Sequence, residues 1–165
     1  LAIYVGRIAM EKNLESFLEM DWQGSKVLIG GGPSLSYLKQ RFPEAHFLGE
    51  KRQKDLAAHY RSADVFVFPS KTDTFGLVLI EALACGLPVA AYPVMGPVDI
   101  ITSPKLGVLN DDLGTAAAKA LKHGSPQQRQ AHVQSFFTWD LACDQFLTGI
   151  NIGFEDKKNF REQPD

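Results

Sequence analysis

Phe75-Gly76-Leu77-Val78-Leu79-Ile80-Glu81-Ala82-Leu83-Ala84-Cys85-Gly86-Leu87-Pro88-Val89-Ala90-Ala91-Tyr92-Pro93-Val94 holds 20 residues and one charge, Glu81. An apolar run of about 20 residues is long enough to cross a bilayer. Here Glu81 lies near the middle, Gly86 interrupts the run, and Pro88 would break a continuous helix. The run reads instead as a helix over residues 77–85, apolar almost all round and therefore expected in the core. Gly86 is a natural helix stop, and residues 89–92 then read as a buried strand. A carboxylate in such surroundings is costly to bury unless something satisfies it. Glu81 is therefore expected to have a polar partner, a ligand being one candidate.

Outward from this unit the same alternation repeats. Residues 1–5, 26–29, 45–48, 65–68, 89–92 and 107–109 read as strands. Residues 13–20, 34–41, 53–62 and 75–85 read as helices, with a shorter helical turn at 98–101. Three closing helices are expected at 112–123, 127–137 and 140–154. Short, continuously apolar strands alternating with helices predict a parallel sheet covered on both faces. The fold class is α/β: a Rossmann-like, doubly wound parallel sheet of about six strands, with ligands at the carboxyl ends of the strands. Gly6, Gly30-Gly31-Gly32-Pro33, Gly49 and Pro69-Ser70 all follow predicted strands and so fall on that edge. The glycine-rich loop matches neither the dinucleotide fingerprint nor the P-loop. It fits a structural turn and a ligand contact equally.

A chain of 165 residues with 45% hydrophobic and 22% charged residues is ordinary for one globular domain. Its 17 basic and 19 acidic side chains give a net charge of −2, which points to no nucleic-acid partner. Cys85 and Cys143 form neither a disulfide framework nor a metal-ligand spacing; they read as free core thiols in a reducing, cytoplasmic setting. The chain opens without Met inside a strand-like run and reads as a piece of a longer protein. Residues 1–154 form the expected domain and residues 155–165 a polar C-terminal tail.

The candidate site follows from the edge loops. Asp73 or Thr74 could cap the helix that Phe75-Gly76 opens, and a helix amino end suits a phosphate. Glu81 lies eight residues after Asp73, roughly 12 Å along at a rise of about 1.5 Å per residue. That span would let two carboxylates meet the hexose and ribose ends of a nucleotide sugar. Arg7 and Lys12, in the loop after the first strand, would offset the charge of a diphosphate. A lysine at a helix start opposes the macrodipole, which favours a functional role for Lys12.

Gly6-Arg7 with Glu11-Lys12-Asn13, Asp73-Thr74-Phe75-Gly76 with Glu81-Ala82, and Gly86-Leu87-Pro88-Val89 together resemble the donor-binding half of a retaining glycosyltransferase of the GT-B fold. The family is glycosyltransferase family 4, the group 1 glycosyl transferases. Gly96-Pro97-Val98-Asp99 resembles that family's next loop, usually Gly-Gly-x-x-Glu, and Trp139-Asp140 the aromatic motif before its last helix. The resemblance covers residues 1–154. It implies transfer of a hexose from a UDP- or GDP-linked donor to a lipid or glycan acceptor. Arg7 and Lys12 would hold the diphosphate and Asp73 would contact the donor sugar, giving the three catalytic candidates. Glu81 would bind the ribose hydroxyls, and Gly6, Thr74, Phe75 and Gly76 would complete the donor site.

Three further expectations follow from the resemblance. No metal or other cofactor is required. The amino-terminal acceptor domain of the same polypeptide is a needed partner, and the parent is expected in the cytoplasm, peripheral to the inner face of a membrane. Two departures from the family pattern stand out: Asp73 replaces its first glutamate, and Asp99 shortens its loop acid in the same way. A nucleotide-sugar epimerase half and a degenerate, non-catalytic scaffold are the competing readings.

Overall fold

The apolar runs form six parallel strands: β1 Ala2–Val5, β2 Lys26–Ile29, β3 His46–Phe47, β4 Val65–Phe68, β5 Val89–Ala91 and β6 Gly107–Leu109. The computed structural model describes residues 1–73 and 76–149. Between the strands run α1 Leu14–Glu19, α2 Leu35–Arg41, α3 Gln53–Arg61, α4 Leu77–Ala84 and α5 Pro97–Ile100; α6 Leu113–Ala120, α7 Pro126–Phe136 and α8 Trp139–Gly149 follow β6. A 3₁₀ turn, Met10–Lys12, precedes α1. The expected α/β class and strand number are observed. The third strand is shorter than expected, two residues rather than four.

The strands lie in the order β3-β2-β1-β4-β5-β6, and every pairing is parallel. The chain lays down β1, β2 and β3 in one direction and then returns to place β4 beside β1. In a doubly wound sheet, ligands bind outside the carboxyl ends of the strands where the order reverses. Here that crevice lies between the loops that follow β1 and β4.

Side chains alternate across the sheet. Tyr4, Leu28, Val67 and Ala90 pack on one face with Leu14, Phe17 and the small residues of α6. Ile3, Ile29, Phe66 and Val89 pack on the other with Tyr60, Leu79 and Leu83. Both faces are covered, which is why the strands read as continuous apolar runs. On the second face α7 is fastened to the end of α4. The guanidinium of Arg129, 4% exposed, donates to the carbonyl oxygens of Gly86 at 3.1 Å and His123 at 2.5 Å. Burial lowers its pKa from the ordinary arginine value.

The helix at the centre of the sequence reading differs from expectation. In α4, Leu79, Ala82 and Leu83 are buried, whereas Leu77 is 66% exposed and Glu81 faces solvent. Apolar composition all round does not bury a helix that covers the sheet with one face. The premise that Glu81 is a buried carboxylate is therefore corrected. Its polar partner is within the fold: Tyr60 Oη donates to Glu81 Oε2 at 3.0 Å. Burial and the Glu81 charge push the Tyr60 hydroxyl pKa far above its usual value. The thiols also differ from a pair of core cysteines, since Cys85 is half-buried and Cys143 exposed.

Candidate functional site at the carboxyl edge of the sheet

Glycine builds the floor of the crevice by letting two loops touch. A Cβ on Gly30 would stand 1.9 Å from the Gly6 carbonyl oxygen, and one on Gly32 would stand 2.3 Å from that of Ile8. Both positions also have left-handed φ values, +140° and +154°. The backbone N–H groups of Gly6 and Ile8 donate to Ile29 and Gly31 at 3.0 and 2.8 Å. The glycine-rich loop is thus required by packing, while its outer side lines a cavity of about 580 Å³ with Arg7, Glu50 and Lys51.

A second cavity, of about 490 Å³, lies at the switch point itself. Its wall includes Arg7, Glu11 and Lys12 from the β1 loop and Asp73, Gly76 and Leu77 from the β4 loop and α4. Gly6 and Arg7 belong to both cavities, so the two adjoin. Lys12 Nζ is ion-paired with Asp73 Oδ1, and Arg7 Nη1 lies 3.7 Å from Glu11 Oε1. The structure therefore brings together Gly6, Arg7, Lys12, Asp73 and Gly76. Thr74 and Phe75 lie outside the described residues.

Glu81 lines neither cavity. The helical span assumed between it and Asp73 does not apply, because α4 begins at Leu77. Only four helical steps separate Leu77 from Glu81, about 6 Å of rise. Nor does Asp73 cap α4. The cap position is Gly76, at φ +74° with no side-chain bond, and Asp73 is engaged by Lys12 instead. Asp99 accepts the Gly96 N–H at 3.4 Å, closing its own short loop.

Two contacts that hold these loops escaped the sequence reading. Tyr4 Oη donates to the Arg7 carbonyl at 2.9 Å and pins the β1 loop from below. Burial, reinforced by Asp73 and Glu11, pushes its hydroxyl pKa well above the ordinary tyrosine value. Asn13, in the left-handed region at φ +53°, donates from Nδ2 to the Pro69 carbonyl at 3.1 Å and ties the two loops together. Asn at a turn before a helix was the available signal, since Asn tolerates that backbone region. Its partner 56 residues away left no local trace.

Among the described residues no group of three or more His, Cys, Asp or Glu is placed to hold a metal ion, and no helix is long and apolar enough to cross a membrane. Among the described residues the crevice offers two cations, two carboxylates and the amino end of α4, which has no side-chain cap bond. Such groups can ion-pair with anionic groups and hydrogen-bond to hydroxyl groups.

The family model described as glycosyl transferases group 1 matches residues 1–123. A GDP-mannose-dependent alpha-mannosyltransferase of Mycolicibacterium smegmatis is 33% identical over 153 residues, covering 87% of this chain and 41% of its own length. A D-inositol 3-phosphate glycosyltransferase of the same species is 35% identical over 185 residues, covering 99% of this chain and 43% of its own length. The chain thus spans about two fifths of the length of these relatives. The solved sucrose-phosphate synthase of Thermosynechococcus elongatus superposes with a TM-score of 0.72 at 28% identity, over 90% of this chain and 45% of that one. The pneumococcal O-GlcNAc transferase GtfA, solved with UDP and GlcNAc, shares the fold at a TM-score of 0.71 and 21% identity, over 92% of this chain and 35% of that one.

Proposed function

Because the chain belongs to the group 1 glycosyl transferases, we propose that it is the donor-binding domain of an enzyme that moves a hexose from a nucleotide diphosphate sugar to a lipid or glycan acceptor, retaining anomeric configuration. The observation that carries this reading is the convergence of Arg7, Lys12 and Asp73 on one cavity at the switch point of the sheet. In this reading Arg7 and Lys12 hold the diphosphate and offset the charge that develops on it as the bond to the anomeric carbon breaks. That role is given to side chains rather than to a metal ion. The acceptor hydroxyl forms the new bond at the same carbon, and its proton passes to the departing diphosphate.

Asp73 takes sugar hydroxyls. Glu81, which lies outside both cavities and holds Tyr60 Oη, takes the ribose hydroxyls as the resemblance implies. The acceptor site belongs to a further domain of the same polypeptide, a reading supported by the share of its relatives that this chain spans. Relatives described as GDP-mannose-dependent make GDP-linked mannose the first donor to try.

Titration calorimetry with GDP and UDP tests the reading. One nucleotide should bind, and Lys12→Met should weaken it at least about tenfold, the order expected for a lost charge-assisted contact. Glu81→Ala should weaken it less. If neither nucleotide binds the chain, or if Lys12→Met binds as well as the parent, the donor-site assignment fails.

A further inference from the structure

Each candidate phosphate-binding cation is matched by a carboxylate on the wall of the same cavity. Arg7 faces Glu11, and Lys12 is paired with Asp73. The two pairs are not equivalent. Arg7 and Glu11 stand four residues apart with side chains 65% and 49% exposed, so solvent screens them. Lys12 and Asp73 come from different loops, 61 residues apart, with side chains only 20% and 26% exposed. Partial burial makes their attraction stronger and less sensitive to salt. A diphosphate arriving at this cavity meets a lysine already held by a competing carboxylate.

We propose that the Lys12–Asp73 pair is a charge-exchange latch: the diphosphate takes Lys12 from Asp73, and the released carboxylate turns to the hydroxyls of the sugar. This rests on the donor-site reading above and adds an order to it, in which phosphate recognition switches on sugar recognition. No bond other than hydrogen bonds and ion pairs changes. The exchange has a scaffold that survives it. Asn13 Nδ2 on Pro69 O, at 3.1 Å, holds the same two loops together through a neutral bond, and Tyr4 Oη on Arg7 O, at 2.9 Å, fixes the β1 side. Opening the ion pair therefore need not part the loops. The Tyr4 hydroxyl stays protonated and so adds no negative charge beside the phosphate. The latch also explains why a carboxylate beside a phosphate site is tolerable. While paired it is neutralised, and once released it has a hydroxyl-rich partner instead of an unmet charge.

The latch makes a prediction opposite to that for an ordinary binding residue. Removing the Asp73 charge should strengthen the nucleotide and weaken the sugar. The wild-type chain, Asp73→Asn, Asp73→Ala and Lys12→Met are titrated with GDP, UDP, GDP-mannose and UDP-glucose, with thermal unfolding of each as a folding control. For whichever nucleotide the wild type binds, both Asp73 variants should bind the free diphosphate about fivefold tighter, the size of a modest ion-pair competition. In both, the affinity ratio of sugar-linked to free nucleotide should fall below the wild-type ratio. Lys12→Met should weaken both ligands. Equal or weaker binding of the free nucleotide by Asp73→Asn and Asp73→Ala, or an unchanged ratio, overturns the latch and leaves the donor site standing. Absence of nucleotide binding by the wild type overturns both.

Discussion

Helices α4 and α6 have the same length and opposite assignments of apolar surface. Each runs for eight residues, Leu-Val-Leu-Ile-Glu-Ala-Leu-Ala in α4 and Leu-Gly-Thr-Ala-Ala-Ala-Lys-Ala in α6. The less apolar helix is the more deeply buried. In α6, Leu113, Gly114, Ala116, Ala117 and Ala120 are buried, against Leu79, Ala82 and Leu83 in α4. Small residues let α6 sit close against β4, β5 and β6, and a Cβ on Gly114 would already stand 2.9 Å from the Asp21 carbonyl oxygen. Their amino ends differ as well. Asp112 Oδ1 accepts the Thr115 N–H at 2.6 Å and closes the end of α6, whereas α4 starts at a left-handed Gly76 without a side-chain cap. One helix is finished as a structural part. The other begins on the cavity wall, with Gly76, Leu77 and Val78 lining it.

The sharpest test of that contrast lies within α4 itself. Leu79 is fully buried and Leu77 is 66% exposed. Leu79→Ala should cost about 2–5 kcal/mol of unfolding free energy, while Leu77→Ala should stay within about 0.5 kcal/mol. Denaturant titrations of the two variants compare them directly, and similar losses would mean that α4 is buried more evenly than described.

A smaller effect is expected in α6. Gly114→Ala pushes a methyl group into the Asp21 backbone and should cost about 1–3 kcal/mol despite the better helix propensity of alanine. A gain in thermal midpoint would show that the close approach is not limiting.

The mildest test concerns the capped end. Hydrogen bonds from Thr115 hold the Asp112 carboxyl below its ordinary value of 3.8. A depressed folded-state pKa means that this contribution is present above the unfolded value and is lost as pH falls through the folded one. Asp112→Asn keeps an acceptor at the cap but removes the titration. The stability difference between the two chains should hold at neutral pH and shrink below about pH 3.8; a difference unchanged at pH 3 would show that the charge is not what matters.

Much of the candidate site was legible because its residues follow strands. Gly6, Arg7 and Lys12 after β1 and Asp73 after β4 had to fall on the carboxyl edge once the alternation of strands and helices was read. Glu81 was misread because periodicity reports how apolar a helix is, and not how much of its circumference neighbours cover. The cap of α4 was misread because a charge-bearing partner from another loop outbid the local helix end for Asp73. Tyr4 passed as an ordinary core residue, and nothing in its neighbours in sequence marks a hydroxyl that holds the Arg7 carbonyl.

Local patterning set the layered α/β class, the number and placement of the strands, and the loops that gather at one edge. These follow from local rules: residue spacing sets the period, glycine and proline set the breaks, and continuous apolar runs require cover on both faces. Long-range packing placed β4 against β1, and so brought Lys12 to Asp73 and Asn13 to Pro69. Strand order is a choice among distant partners made by the whole core at once. The contacts that define the crevice are a consequence of that choice.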